Sequence, residues 1–117
     1  MELRDLVDAL LARDALSARQ WVANATRDGV IWAQVLRPIG WTAQELAVAA
    51  GVVELFAMRS HQPPPSWTAT VGAAPEPIYL GRAAESMPRL RRSCETEGPE
   101  PLRARQVYAP PEFLTAA

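Results

Sequence analysis

The prolines divide this chain of 117 residues into two different kinds of sequence. Only Pro38 precedes residue 62, and the other ten prolines fall between Pro63 and Pro111. Proline inside a helix removes a backbone donor and clashes with the preceding turn. The first part of the chain can therefore hold long helices, whereas the second must consist of loops and short helical pieces.

The composition is typical of one globular domain. Hydrophobic residues make up 49% of the chain and charged residues 21%, which is too apolar for intrinsic disorder. A chain of this length buries roughly two-thirds of its unfolded surface and needs no metal or disulfide to fold. We therefore expect a single domain of the mainly α class, with a small helical bundle in residues 1–62. A proline-punctuated segment of loops and short helices, residues 63–117, packs on the bundle or on a partner.

The charges argue against nucleic acid as the main partner. The 12 basic residues, all arginine, are balanced by 13 acids, so the net charge is −1. Proteins that bind nucleic acid commonly carry a basic excess on one face, because phosphate neutralisation supplies much of their affinity. The sequence also shows no signal pattern and no apolar run of about eighteen residues. With Cys94 as the lone cysteine, we expect a cytoplasmic protein without membrane contact.

Apolar spacing predicts two helices before residue 30. The second is predicted to open near Ser17 and to run to Arg27, because Ser17 and Gln20 have the spacing of a capping box. The apolar run from Val30 to Leu36 is predicted as either helical turns or a strand. The first helix has apolar residues at i, i+3, i+4, i+7 and i+8, all on one face: Leu3, Leu6, Val7, Leu10 and Leu11.

The stretch from Trp41 to Arg59 permits two interpretations. Thr42 and Glu45 form a capping box that predicts one helix from about residue 43 to 59. The same residues resemble the first helix and turn of phage-repressor-like domains, with Gly51 as the turn glycine. The second half, however, is apolar and acidic where a DNA-reading helix offers polar side chains. A helix-turn-helix transcriptional regulator using residues 41–59 is therefore the alternative function, and one continuous helix explains the residues as well.

The proline-rich part is predicted to be ordered. Residues 66–80 are expected to form a loop anchored by Trp67, Ile78 and Tyr79. Residues 89–97 are expected to form a short helix, with Pro88 in its first turn and Gly98 at its end. The tail, residues 99–117, is too apolar for a linker. It either wraps back over the helices or lies on another molecule.

The sequence offers no catalytic, cofactor-binding or metal-binding set. His61 is the only histidine, and pairing it with Cys94 would still leave out the orienting group and the oxyanion donor that such an enzyme needs. Two soft ligands are too few for zinc, and no phosphate-binding glycine loop occurs. We therefore expect a protein that is not an enzyme and uses no cofactor.

A motif in the second half resembles a small family of uncharacterised proteins from GC-rich bacteria. The matching residues are PPSWT at 64–68, VG at 71–72, PEPLRAR at 99–105 and YAPPEFL at 108–114. The resemblance covers about residues 43 to 115. Such proteins look like the smaller members of two-gene loci, beside effectors that resemble nucleotidyltransferase-type toxins. The resemblance implies an antitoxin-like or accessory role.

These observations predict a non-enzymatic protein-binding module that contacts its partner through the C-terminal segment. The partner is a protein, either a toxin encoded nearby or a second copy, and nucleic acid is the less favoured choice. A few apolar and aromatic anchors carry most of the energy in such interfaces. The predicted anchors are Trp67, Tyr79, Leu102, Tyr108, Phe113 and Leu114, with Arg103 and Arg105 at the rim.

Overall fold

The computed structural model describes residues 2–81 and 87–114, and this part of the chain is mainly α-helical. The prediction of a mainly α fold is confirmed. Within these two ranges no helix is long and apolar enough to cross a membrane. The elements in chain order are α1 (Leu3–Leu11), α2 (Ala15–Arg27), a first 3-10 helix (Trp32–Gln34), α3 (Ala43–Arg59), a second 3-10 helix (Ser66–Thr70), β1 (Ile78–Tyr79), α4 (Pro88–Glu97), α5 (Glu100–Arg103) and β2 (Val107–Tyr108).

Helices α1 and α2 pack against each other. The predicted apolar face of α1 is confirmed, since Leu6, Val7 and Leu10 are buried. The predicted capping box of Ser17 and Gln20 at the start of α2 is wrong. The helix begins at Ala15, because the carboxylate of Asp14 accepts hydrogen bonds from the backbone N–H of Ser17 at 3.1 Å and from its hydroxyl at 2.6 Å. An aspartate three residues upstream therefore caps the helix, and Ser17 lies inside it.

Helix α3 is the centre of the molecule. It contacts α1, both 3-10 helices, α5 and β2. The predicted capping box is confirmed, because the Glu45 N–H donates to Thr42 Oγ1 at 3.1 Å and the Thr42 N–H donates to Glu45 Oε1 at 2.9 Å. Ten of its residues, within 47–57, are buried. A helix that is apolar on most of its circumference can be stable only when other elements surround it.

Gly51 lies in the middle of α3 because α5 approaches it closely. A Cβ atom on Gly51 would stand 2.5 Å from Cδ2 of Leu102 and 3.4 Å from the carbonyl oxygen of Pro101. The glycine therefore makes room for Leu102, whose side chain is fully buried, and does not form a turn. The helix-turn-helix interpretation of residues 41–59 is wrong, since this stretch is one helix whose middle is covered by the rest of the chain.

The C-terminal segment wraps back over the helices in the part that the structure describes. Strands β1 and β2 pair in parallel, with Ile78 opposite Val107 and Tyr79 opposite Tyr108. Residues 66–80 are therefore not only loop, because the second 3-10 helix and β1 lie within them. A hydrogen bond of 2.8 Å from the Ala74 N–H to the Arg105 carbonyl extends the pairing. Residues 115–117 of the predicted tail lie outside the described ranges.

Helix α4 agrees with its prediction. It runs from Pro88 to Glu97, with proline in the first turn and Gly98 directly after it. Gly98 is also a position of close approach, since a Cβ there would lie 2.4 Å from the carbonyl oxygen of Ala109. Helix α4 and the residues after β2 are thereby packed backbone against backbone.

Candidate protein-binding surface

Three of the eight predicted partner-binding residues are buried inside the chain itself. Leu102 is fully buried, Arg105 is 7% exposed and Phe113 is 8% exposed. Leu102 and Phe113 belong to the same apolar core as α1 and α3. The folded chain therefore does not present these three side chains to another molecule.

Arg105 is buried in a network of hydrogen bonds. Its two terminal nitrogens each donate to one carboxylate oxygen of Glu54 at 2.9 Å. The same nitrogens also donate to the carbonyl oxygens of Pro101 at 2.9 Å and Thr68 at 2.7 Å. The planar guanidinium suits this two-pronged contact. Arg105 therefore joins the second 3-10 helix and α5 to α3, and it is not a rim residue.

Arg103 joins α4 to α5. Its Nε donates to the carbonyl oxygen of Gly98 at 2.7 Å, and Nη1 donates to that of Thr96 at 3.1 Å. Both acceptors lie at the C-terminal end of α4, where backbone carbonyls lack partners within the helix. The arginine therefore caps α4, a structural role that differs from the rim contact predicted for it.

The other three aromatic anchors, Trp67, Tyr79 and Tyr108, are half-buried and have partners within the chain. The rings of Tyr79 and Tyr108 lie 5.3 Å apart, and the Arg91 guanidinium stands 4.5 Å from the Tyr79 ring centre. The Tyr79 hydroxyl donates to Glu95 at 3.0 Å. Trp67 Nε1 donates to the carbonyl oxygen of Val35 at 2.8 Å. Leu114 is half-buried. The eight predicted residues therefore do not form one exposed patch.

Cys94 and His61 lie in different surroundings. Cys94 is 1% exposed, and burial, with Glu112 and Glu95 nearby, raises the pKa of its thiol. A raised pKa leaves the thiol protonated and unreactive at neutral pH. His61 is exposed just beyond the end of α3. Among the described residues, no group of three His, Cys, Asp or Glu could hold a metal ion.

The surface that sequence reasoning missed lies on the segment between the first 3-10 helix and α3. Leu36 is 84% exposed and Ile39 is 94% exposed. Single exposed apolar side chains are ordinary on protein surfaces, but a cluster of them indicates an interaction site. Leu36 also lines a groove of about 630 Å³. The apolar lining of this groove consists of Leu3, Val35, Leu36, Pro38 and Trp41. We call these side chains, together with Ile39, the apolar loop surface.

The backbone of the apolar loop surface is fixed by contacts from outside it. The Val35 carbonyl accepts the hydrogen bond from Trp67, and Arg37 Nη1 donates to Thr70 Oγ1 at 3.0 Å. The Arg4 guanidinium lies 4.3 Å from the ring centre of Trp41. Gly40 supplies a turn at a φ of 78°, which side chains with a Cβ rarely adopt. The surface is therefore ordered before any partner binds.

Charged side chains border the groove. Glu2, Arg4 and Arg37 line it. Arg4 is also paired with Glu45 and lies 3.5 Å from Asp8. Hydrogen bonding to Glu45 raises the pKa of Arg4. The rim therefore carries two charges of opposite sign, Glu2 and Arg37, beside an apolar centre.

The pattern Val35-Leu36-Arg37-Pro38-Ile39-Gly40-Trp41 is the signal that could have pointed to this surface. It places four large apolar residues around a proline and a glycine, where no regular element can bury them on one face. Comparisons with protein-family models, curated proteins and solved structures found no match. The function is therefore inferred from the geometry and the sequence.

Proposed function

We propose that this chain is a non-catalytic protein-binding module, of antitoxin or accessory type, that binds a protein through the apolar loop surface. One observation carries the proposal. Leu36 and Ile39 are 84% and 94% exposed on a loop whose backbone is held by Trp67, Arg37 and Gly40. Two aliphatic side chains that an ordered loop holds in water gain no burial within the fold, and burial against a partner would supply it.

Burial of the two exposed side chains of this surface contributes part of the free energy of binding. Burying an exposed leucine or isoleucine contributes about 1.5–3 kcal/mol, so the two together contribute roughly 3–6 kcal/mol. Because the loop is already ordered, little of that gain is lost to fixing the backbone. The apolar centre with a charged rim is the arrangement found in protein interfaces.

The proposed contact lies on the loop and not on the C-terminal segment. Binding through Leu102 or Phe113 would require the segment to leave the core, and losing a buried leucine costs about 2–5 kcal/mol. The loop requires no such rearrangement. The antitoxin-like or accessory role rests on the resemblance of the C-terminal motif, and the product of an adjacent gene is the first heterologous partner to co-express. A reducing cytoplasm, where Cys94 stays a thiol, is the proposed location.

Photo-crosslinking in the producing cell tests the surface. The photoreactive amino acid p-benzoylphenylalanine is placed at position 36, and at position 16 as the matched control. Leu16 is also a large apolar side chain, 76% exposed, but it belongs to α2 and lines a different depression, with Gln20 and Trp21. We expect a covalent adduct with a protein from position 36, its loss on adding Ile39→Asp, and none from position 16. Equal yields from both positions, or none from position 36, would contradict the proposal.

A further inference from the structure

We infer that a pocket between the α1–α2 junction and the C-terminal segment binds a small carboxylate whose apolar body is about the size of one substituted ring. The pocket shares no residue with the apolar loop surface, so this inference goes beyond the proposed protein-binding function. It rests on the volume of the pocket, on its apolar wall and on the charge at its opening.

The wall of the pocket is mainly apolar. Its apolar side chains include Ala9, Ala15, Ala18, Leu80, Phe113 and Leu114. Protein interiors are normally packed without large voids, and the atoms that line an unfilled void lose contacts on one side. A ligand with an apolar body would restore those contacts.

The space exists because three of the lining residues are alanines. Ala9 belongs to α1, whereas Ala15 and Ala18 belong to α2. Leu80 and Phe113 form another part of the wall, and both are members of the apolar core, 7% and 8% exposed. Core packing therefore fixes this part of the wall before any ligand binds.

The volume of the pocket sets the size of the ligand. The pocket measures about 240 Å³, and an apolar cavity of about 150 Å³ is enough to bind benzene. One ring with a short arm therefore fits. Sites for drug-sized ligands measure about 300–1,000 Å³, so a nucleotide is too large for this pocket.

The charged residues that line the pocket favour an anion. The Asp14 carboxylate already accepts two hydrogen bonds from Ser17, and neither Arg13 nor Glu112 is without a partner. Arg19 is exposed and lines the same pocket. Among residues 2–81 and 87–114, no hydrogen bond or ion pair engages its guanidinium. A guanidinium binds a carboxylate through two parallel hydrogen bonds, so Arg19 suits a carboxylate ligand.

A titration of the isotope-labelled full chain with hydrocinnamate, followed by nuclear magnetic resonance, tests the inference. Hydrocinnamate carries a phenyl ring on a propionate arm. We expect saturable shifts of the backbone amide signals of Ala9, Ala18 and Gly81, and none at Leu36 or Gly40. The dissociation constant should be on the order of 0.1–1 mM for a ligand of this size. No saturable shift at the solubility limit of the probe, or shifts centred on other residues, would overturn the inference.

Two related probes separate the apolar contribution from that of the charge. Hydrocinnamamide keeps the ring and removes the charge, and it should bind about three- to tenfold more weakly because a charge-assisted hydrogen bond is lost. Propionate keeps the charge and removes the ring, and it should show no saturable binding because ring burial supplies most of the free energy. An amide that binds as tightly as the acid, or propionate that binds as tightly as hydrocinnamate, contradicts the assigned ligand class.

Replacing the arginine tests the anion contact. Arg19→Gln should weaken hydrocinnamate binding about three- to tenfold and leave hydrocinnamamide binding unchanged. Arg27→Gln is the matched control on α2, since Arg27 donates to Asn24 and does not line the pocket, and it should bind as the native chain does. Unchanged hydrocinnamate binding by Arg19→Gln would show that Arg19 does not hold the carboxylate.

Filling the pocket tests its location. Ala9→Leu places a larger side chain on the pocket wall and should weaken hydrocinnamate binding at least about tenfold. Ala12→Leu is the matched control, because Ala12 is exposed at the end of α1 and does not line the pocket. Circular dichroism and thermal melting show whether each variant is folded. A folded Ala9→Leu variant that binds hydrocinnamate as the native chain does would overturn the inference.

Discussion

The side chain of Leu102 occupies the space directly above Gly51, with its Cδ2 atom 2.5 Å from where a Cβ on that glycine would lie. This contact joins the short helix α5 to the central helix α3, and it is one of the places where the C-terminal segment enters the core. Leu102 is fully buried there. The PEPLRAR motif therefore stabilises the fold.

Gly51→Ala should lower the stability. Alanine is favoured over glycine in a helix by about 1 kcal/mol, but overpacking a filled core costs about 1–3 kcal/mol. We expect a net loss of about 1 kcal/mol in the free energy of unfolding, measured with urea. Gly72→Ala is the control, since nothing lies within 4 Å of a Cβ at that position. A stabilised Gly51→Ala variant would show that α5 does not pack as described.

A double-mutant cycle tests the same contact from both sides. Leu102→Ala should cost about 2–5 kcal/mol, as expected for a buried leucine. It also removes the atom that obstructs a side chain at position 51. The double variant Gly51→Ala/Leu102→Ala should therefore lose less stability than the sum of the two single variants. Strictly additive values would contradict direct contact.

Removing only one partner of the Glu54–Arg105 pair should destabilise the fold more than removing both. Glu54→Ala leaves the buried guanidinium without its carboxylate, and breaking such a pair costs about 3–5 kcal/mol. Because the Glu54 side chain is 22% exposed, we expect about 2–4 kcal/mol, measured by chemical unfolding. The double variant Glu54→Leu/Arg105→Met removes both charges and should cost less than Glu54→Ala alone. A double variant less stable than the single one would show that the network is needed as a whole.

Stability should fall with pH in the acidic range through the capping box of α3. The hydrogen bond from the Thr42 backbone N–H, followed by that from Arg4, lowers the pKa of Glu45 below its ordinary value of 4.5. A carboxyl with a lowered folded-state pKa stabilises fully above its unfolded value, and that contribution is lost as the pH falls through the folded value. The difference in melting temperature between the native chain and Glu45→Gln should therefore shrink below about pH 4.5. A constant difference from neutral to acidic pH would contradict this origin.

The sequence predicts those parts of the fold that local signals determine. The apolar face of α1, the Thr42 and Glu45 capping box and the proline start of α4 each lie within one helix, and each is confirmed. The start of α2 was predicted wrongly because Asp14 and Ser17 are both good caps, and only the structure shows which of them accepts the hydrogen bond.

The contacts between distant residues could not be predicted in this way. Arg105 and Glu54 are 51 residues apart, and strands β1 and β2 are two residues long and carry no alternating pattern. For the same reason the sequence does not tell which apolar residues remain uncovered. Phe113 and Ile39 are both large apolar residues that follow closely after a proline. Phe113 is nevertheless 8% exposed, whereas Ile39 is 94% exposed.

Photo-crosslinking from position 36, compared with position 114 in the same producing cells, shows which of the two surfaces meets the partner. Leu114 is half-buried near the end of the described C-terminal segment, and it represents the site expected from the motif alone. Binding through the apolar loop surface predicts protein adducts from position 36 and none from position 114. Adducts from position 114 with none from position 36 would contradict the account and return the contact to the C-terminal segment.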